Sequence, residues 1–170
     1  MSRGSALSVS EIIGAGVLIR VDDQLVASPN ATPRHFDFGE GPVLCAPLSF
    51  GDLVTGWHST GIANIAMFVH VSGDAFPEGD LSQLPDGPSA AERDAHRARA
   101  VVEVQGTDGS LARSVIDTVN GYTYTPLSAV AAAERVLNGE RHTGFATPAQ
   151  VFGSGFAESI VGTHITDLQS

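Results

Sequence analysis

The side chains best suited to chemistry gather in one stretch, Gly51-Asp-Leu-Val-Thr-Gly-Trp-His-Ser-Thr-Gly61, which runs on into an apolar segment over residues 62–71. It holds the only tryptophan, Trp57, beside His58, Ser59 and Thr60, with three glycines where the backbone must turn sharply or be approached closely. An imidazole in an apolar pocket could act as general acid or base, because its pKa lies near neutral pH. His58 is therefore a catalytic candidate; the competing reading is a histidine at a helix end, bonded to a carbonyl. Trp57, Ser59, Thr60 and Phe68 would line the pocket and bind substrate. A second pair, Tyr122 and Tyr124, brackets Thr123. A phenol can donate a hydrogen bond to a carbonyl or enolate oxygen, so both tyrosines join His58 as catalytic candidates. As core tyrosines with satisfied hydroxyls they would need no function.

Other chemistries fit poorly. A zinc site wants clustered ligands, and the six histidines (35, 58, 70, 96, 142 and 164) are scattered without a ligand motif. Ser59 lacks the Gly-x-Ser-x-Gly elbow of a hydrolase nucleophile. All nine basic residues are arginines, so a lysine Schiff base is excluded. Cys45, the only cysteine, lies between Leu44 and Ala46 and reads as a small buried hydrophobe. With no second cysteine there is no internal disulfide, which suits a reducing cytoplasm. A net charge of −10 argues against nucleic acid, which selects clustered basic side chains. No apolar run is long enough to span a membrane, and the first residues lack the apolar core of a signal peptide.

The elements that must position these residues point to one α+β domain over residues 1–170. Its sheet is expected to be largely antiparallel and mixed, with two or three helices packed on one face. Ser8-Val-Ser-Glu11 matches a capping box. Residues 17–21 and 24–27 flank Asp22-Asp23 as a hairpin, and residues 34–38 and 42–46 flank Gly39-Glu40-Gly41 as another. A short helix is expected over residues 50–57. Residues 62–71 are apolar on both faces and read as a central strand. Residues 72–88 turn rich in Gly, Pro, Asp and Glu, the composition of a mobile loop. Ser89-Ala-Ala-Glu92 is a second capping box, and Asp108-Gly109 supplies the turn between strands over 98–105 and 111–119. The strongest helix signal places Thr125 at the N-cap, Pro126 in the first turn and Gly139 past the end. Leu127, Val130, Ala131, Ala133, Val136 and Leu137 would form its buried stripe. Thr147-Pro-Ala-Gln150 caps a one-turn helix, and residues 158–168 close the chain as a strand.

Three segments occur in a familiar order. They are GDLVTGWHSTGIANI (residues 51–65), GYTYTPLSAVAAAERVL (121–137) and GFATPAQVF (144–152). Together they resemble the carboxyl-terminal, substrate-side domain of saccharopine dehydrogenase-like oxidoreductases, a group that includes trans-acting enoyl reductases. The resemblance implies an α+β substrate domain with a pocket for an apolar guest. The family's NADP-binding Rossmann domain has no counterpart here. Gly14-Ala-Gly16 lacks the third glycine and its βαβ setting, and Gly153-Ser-Gly155 has no following helix and ribose-binding acid.

No cofactor is therefore expected. The leading expectation is a cofactor-independent isomerase or cyclase acting on an apolar, polyketide-like substrate in natural-product metabolism. The alternatives are an accessory subunit of a split NADP-dependent reductase, docking on a separate Rossmann-type chain, and a non-catalytic ligand-binding module. A cytoplasmic homodimer paired through a sheet edge is the expected assembly.

Overall fold

The computed structural model describes residues 1–70 and 79–168. The fold is α+β: helices and small antiparallel sheets in two compact units. Unit 1 comprises Met1–Phe36 and Pro42–Pro88; unit 2 comprises Asp37–Gly41 and Ser89–Ser170.

Unit 1 opens with α1 (Arg3–Gly14), capped by the Ser2 side chain, which accepts from the Ser5 N–H at 3.1 Å. The helix thus starts a turn and a half before the expected capping box. Ser8 and Glu11 lie inside it, because a four-residue motif cannot report that the residues before it are already helical. Next, β1 (Leu18–Val21) and β2 (Gln24–Ala27) pair antiparallel as anticipated. Asp22 and Asp23 both take positive φ, 46° and 66°, as a two-residue hairpin with the right-handed strand twist requires.

A second sheet has the order β3 (Arg34–Asp37), β4 (Pro42–Pro47), β5 (Phe68–Val69). The expected central strand over 62–71 is not there. Its described part supplies the two-residue edge strand β5, plus an isolated antiparallel bridge from Ile65 to Arg20 on β1. The segment is apolar on both faces because it serves two sheets in turn, not because it runs through the middle of one. Between β4 and β5 lies α2 (Asp52–Thr60), which ends at Gly61 in the left-handed conformation (φ 70°). Cys45 on β4 is fully buried, and Leu53 on α2 is buried too. Residues 71–78, where the mobile loop was expected to begin, lie outside the described residues. The remainder, 79–88, contains a single 3-10 turn (Leu81–Gln83) and is tied to α1. Arg3 donates its backbone N–H to Pro85 O at 2.9 Å and forms an ion pair with Asp86 at 2.7 Å.

Unit 2 begins its main run with α3 (Ala90–Ala95), where Ser89 and Glu92 form the predicted capping box. Strands β6 (Ala98–Gln105), β7 (Leu111–Thr118) and β8 (His164–Leu168) form an antiparallel sheet in that order. The Gly109 turn (φ 84°) joins the first two, as the Asp-Gly pair indicates. Strand β8 starts six residues later than expected, since Ser154–Ser159 forms a 3-10 helix. The antiparallel strands are thus shared among three small sheets rather than gathered in one.

Helix α4 (Gly121–Leu137) overturns the expected N-terminus. Its cap is Asn120, whose Oδ1 accepts from the Tyr122 N–H at 3.0 Å, while its Nδ2 donates to His96 O at 3.0 Å. Pro126 therefore sits inside the helix, where its missing N–H removes a helical hydrogen bond. The anchor to His96 explains why the helix starts early: a tertiary hydrogen bond fixes Asn120, and a local Thr-Pro signal cannot compete with it. None of the residues of α4 is buried, so its apolar stripe does not make the expected core contact. The short α5 (Pro148–Phe152) carries the predicted Thr147–Gln150 capping box.

Candidate functional site

The centre of the expected site is α2, and its side chains are held by their own helix and by the β1–β2 turn. The Ser59 hydroxyl donates to Thr55 O and the Thr60 hydroxyl to Gly56 O, each at 2.7 Å and each one helical turn back. Such back-bonding satisfies the hydroxyl locally. The Trp57 indole Nε1 donates to Asp23 Oδ1 at 2.7 Å. Over its ring lies the Arg20 guanidinium, 4.4 Å from the centroid, within the range of a cation–π contact. His58 is exposed on the same helix.

Arg20 is the residue that sequence reasoning missed. It is 6% exposed, and it donates from Nε to Leu53 O at 2.7 Å and from Nη1 to Asp23 O. Its backbone pairs with Ile65 in both directions, at 2.8 and 3.0 Å. Asp23 N donates to Ala63 O at 3.0 Å, and Asp22 N donates to Asn64 Oδ1 at 3.1 Å. One buried cation thus ties together the end of β1, the Asp22-Asp23 turn, the body of α2 and the segment after it. The sequence carried a signal: Arg20 is the one charged residue within the apolar run of β1. A buried guanidinium must be fully hydrogen-bonded, so that position has to face carbonyls.

Phe68 packs on Phe36 with ring centroids 5.0 Å apart, and Arg34 lies over both rings at 5.7 and 5.5 Å. This aromatic pair joins β3 to β5 across the second sheet of unit 1.

Tyr122 and Tyr124 belong to unit 2, in the first turns of α4 rather than in an extended link. Two residues apart on a helix, they do not share a face. Burial pushes the Tyr124 phenol above its usual pKa. Further along α4, Arg135 lies over Phe152 and Phe156, at 5.4 and 5.5 Å, and those rings are 4.9 Å apart. Arg135 thereby fastens one side of the helix. Leu127, Val130 and Leu137 lie on another side, with Glu134 among them, and are 40%, 59% and 81% exposed.

A group of charged side chains in unit 2 gathers at the β6–β7–β8 sheet. Asp117 pairs with both Arg97 and Arg99, and Arg99 reaches on to Glu40 at 2.7 Å. Burial raises the Asp117 pKa, but hydrogen bonds from Arg97 and Arg99 outweigh it and hold the carboxyl below its usual value. The Arg99 hydrogen bond likewise lowers Glu40, and the backbone N–H groups of Gly39 and Gly41 lower Asp37. Among the described residues no three His, Cys, Asp or Glu side chains group as metal ligands, and no helix is long and apolar enough to cross a membrane.

No protein-family model, curated protein or solved structure matches the chain. The site is therefore read from its own geometry. Around Trp57 that geometry consumes hydrogen-bonding capacity instead of presenting it. The indole N–H, two hydroxyls and a buried guanidinium all end on groups of unit 1 itself.

Proposed function

We propose that this chain is the accessory, substrate-side half of a two-part reductase-like enzyme, docking through α4 on a separate chain that carries the nucleotide. The observation that carries this reading is the apolar stripe of α4. Leu127, Val130 and Leu137 lie exposed along a 17-residue helix that buries none of its residues. Contiguous apolar surface of this kind marks a site of association. Glu134 lies among these aliphatic side chains and would need a donor on the partner. The resemblance of residues 121–137 to the substrate-side domain of saccharopine dehydrogenase-like proteins supplies the class of partner, a Rossmann-type chain binding NADP. The test is to co-purify the tagged chain with a separately expressed dinucleotide-binding chain, with and without NADPH. Elution of the two together, with NADPH oxidised only by the pair, is expected. Elution of the chain alone in every nucleotide state would end this reading.

A second reading, cofactor-independent isomerisation or cyclisation of an apolar, polyketide-like molecule, is favoured by the Tyr124 phenol. Half-buried in the first turns of α4, this phenol can donate a hydrogen bond to a developing enolate oxygen. Replacing Tyr124→Phe should lower such a rate about 100-fold without unfolding the protein, since general acids contribute on that scale.

A further inference from the structure

We infer that the chain pairs with a second copy of itself through strand β6, in one definite register. The inference is independent of any nucleotide-binding partner, because it uses a different surface. Strand β6 stands at the end of its sheet, with β7 on one side and no further strand on the other among the described residues. Which of its backbone groups face outward follows from the hairpin. Gly106 donates to Ser110 O at 2.8 Å and accepts from the Gly109 N–H at 3.0 Å. Its polar groups therefore point at β7. Hydrogen-bonded and non-hydrogen-bonded pairs alternate along an antiparallel ladder, so the even-numbered residues of β6 bond to β7. The N–H and C=O groups of Arg99, Val101, Glu103 and Gln105 point away from it.

A copy added antiparallel about a two-fold axis must oppose odd residues to odd residues. Centring the axis on Val101 sets Arg99 against Glu103 of the copy and Glu103 against its Arg99. On the opposite face of the sheet it sets Ala98 against Val104 and Ala100 against Val102, a small side chain against a larger one each time. In the single chain Val102 is 59% and Val104 39% exposed on that face. The charges extend a row already built. Within one chain Glu103 is opposite Arg113 and pairs with it at 2.7 Å, and Arg99 is opposite Asp117 and pairs with it at 3.0 Å. Across the axis the row becomes Arg113, Glu103, Arg99 and Asp117, alternating in sign over four strands with no like charges opposed. Shifting the register by one pair toward the turn would set Arg99 against Gln105 and Val101 against Glu103, so that neither charge gains a partner across the axis. Opposite charges on directly facing residues stabilise strand pairs and select register.

Sedimentation equilibrium of the full chain should give twice 17.6 kDa at micromolar concentration. Val101→Pro removes an outward N–H while leaving the ladder to β7 its donors, and Val101→Lys sets two ammonium groups face to face; both should weaken the dimer at least 100-fold. Circular dichroism and its thermal transition show that each variant is folded. Val101→Cys should form an intermolecular disulfide on mild oxidation, and Val102→Cys should not, because only residue 101 faces itself across the axis. A single 17.6 kDa species up to millimolar concentration would overturn the inference. So would a dimer that persists in both folded Val101 variants, or failure of Val101→Cys to cross-link.

Discussion

The surroundings of Trp57 in unit 1 and the exposed side of α4 in unit 2 exchange the roles that their residue types suggest. The first is rich in chemistry: an indole, an imidazole, two hydroxyls, an aspartate and an arginine. Yet Arg20 binds Leu53 O and Asp23 O, Trp57 binds Asp23, and Ser59 and Thr60 bind their own helix. The second is chemically plain, a stripe of aliphatic residues that resembles any core-facing helix. Leu127, Val130 and Leu137 instead meet solvent. Polar side chains that find every partner inside a unit are spent on folding it. Apolar side chains that find none there remain available for binding.

That contrast can be broken most forcefully at Arg20. Arg20→Ala leaves two carbonyls without their charged donor and uncovers the Trp57 ring. It should destabilise unit 1 by about 3 kcal/mol, the scale of losing buried hydrogen bonds to a charged group. Urea unfolding followed by Trp57 fluorescence measures this directly. A change below about 0.5 kcal/mol, the range of ordinary surface substitutions, would mean the cluster is not structural.

Acid should weaken unit 2 next. Asp37, Glu40 and Asp117 have pKa values held below their unfolded values. Groups of this kind contribute stability that is present above their unfolded pKa and is lost as pH falls through the folded one. Unit 2 should therefore weaken below about pH 4, where unfolded carboxyls begin to take up protons. Asp117→Asn should flatten that dependence, as read from thermal unfolding between neutral and acid pH. An unaltered slope in the variant would show that the Arg97–Asp117–Arg99 pairs carry none of it.

Cys45 sharpens the comparison from within the core. Burial raises its thiol pKa and leaves it fully enclosed. A thiol reagent at neutral pH should label it only at the unfolding rate, since the thiolate is the reactive species. Labelling that outruns unfolding would place Cys45 at an accessible site. The smallest effect is expected at His58. Because it is exposed, His58→Ala should change stability by no more than about 0.5 kcal/mol.

Local signals were legible wherever a local interaction decides the outcome. The Asp22-Asp23 and Asp108-Gly109 turns need positive φ, and the Ser89 and Thr147 boxes close on themselves within four residues. Three long-range interactions were hidden. Asn120 is fixed by His96 and moves the start of α4 past the Thr125-Pro126 signal. Ile65 bonds to Arg20 and breaks a ten-residue apolar run into a bridge and a short edge strand. Ser2 starts α1 before the Ser8–Glu11 pattern is reached. Of the site, Trp57 and its neighbours were recognisable as a cluster from spacing alone. Their engagement was not, because the partners Arg20 and Asp23 lie more than thirty residues away. The exposure of α4 was equally hidden, since periodicity reports that a helix has an apolar side and not what covers it.

The most direct test of the exchange of roles is a titration of a fluorescently labelled Rossmann-type, NADP-binding chain with this protein and three folded variants. Binding should be saturable for the natural sequence and for Trp57→Phe, and weakened at least tenfold by Val130→Glu and by Leu137→Glu. Binding lost with Trp57→Phe but untouched by the two α4 substitutions, or no binding by any of the four, would contradict it.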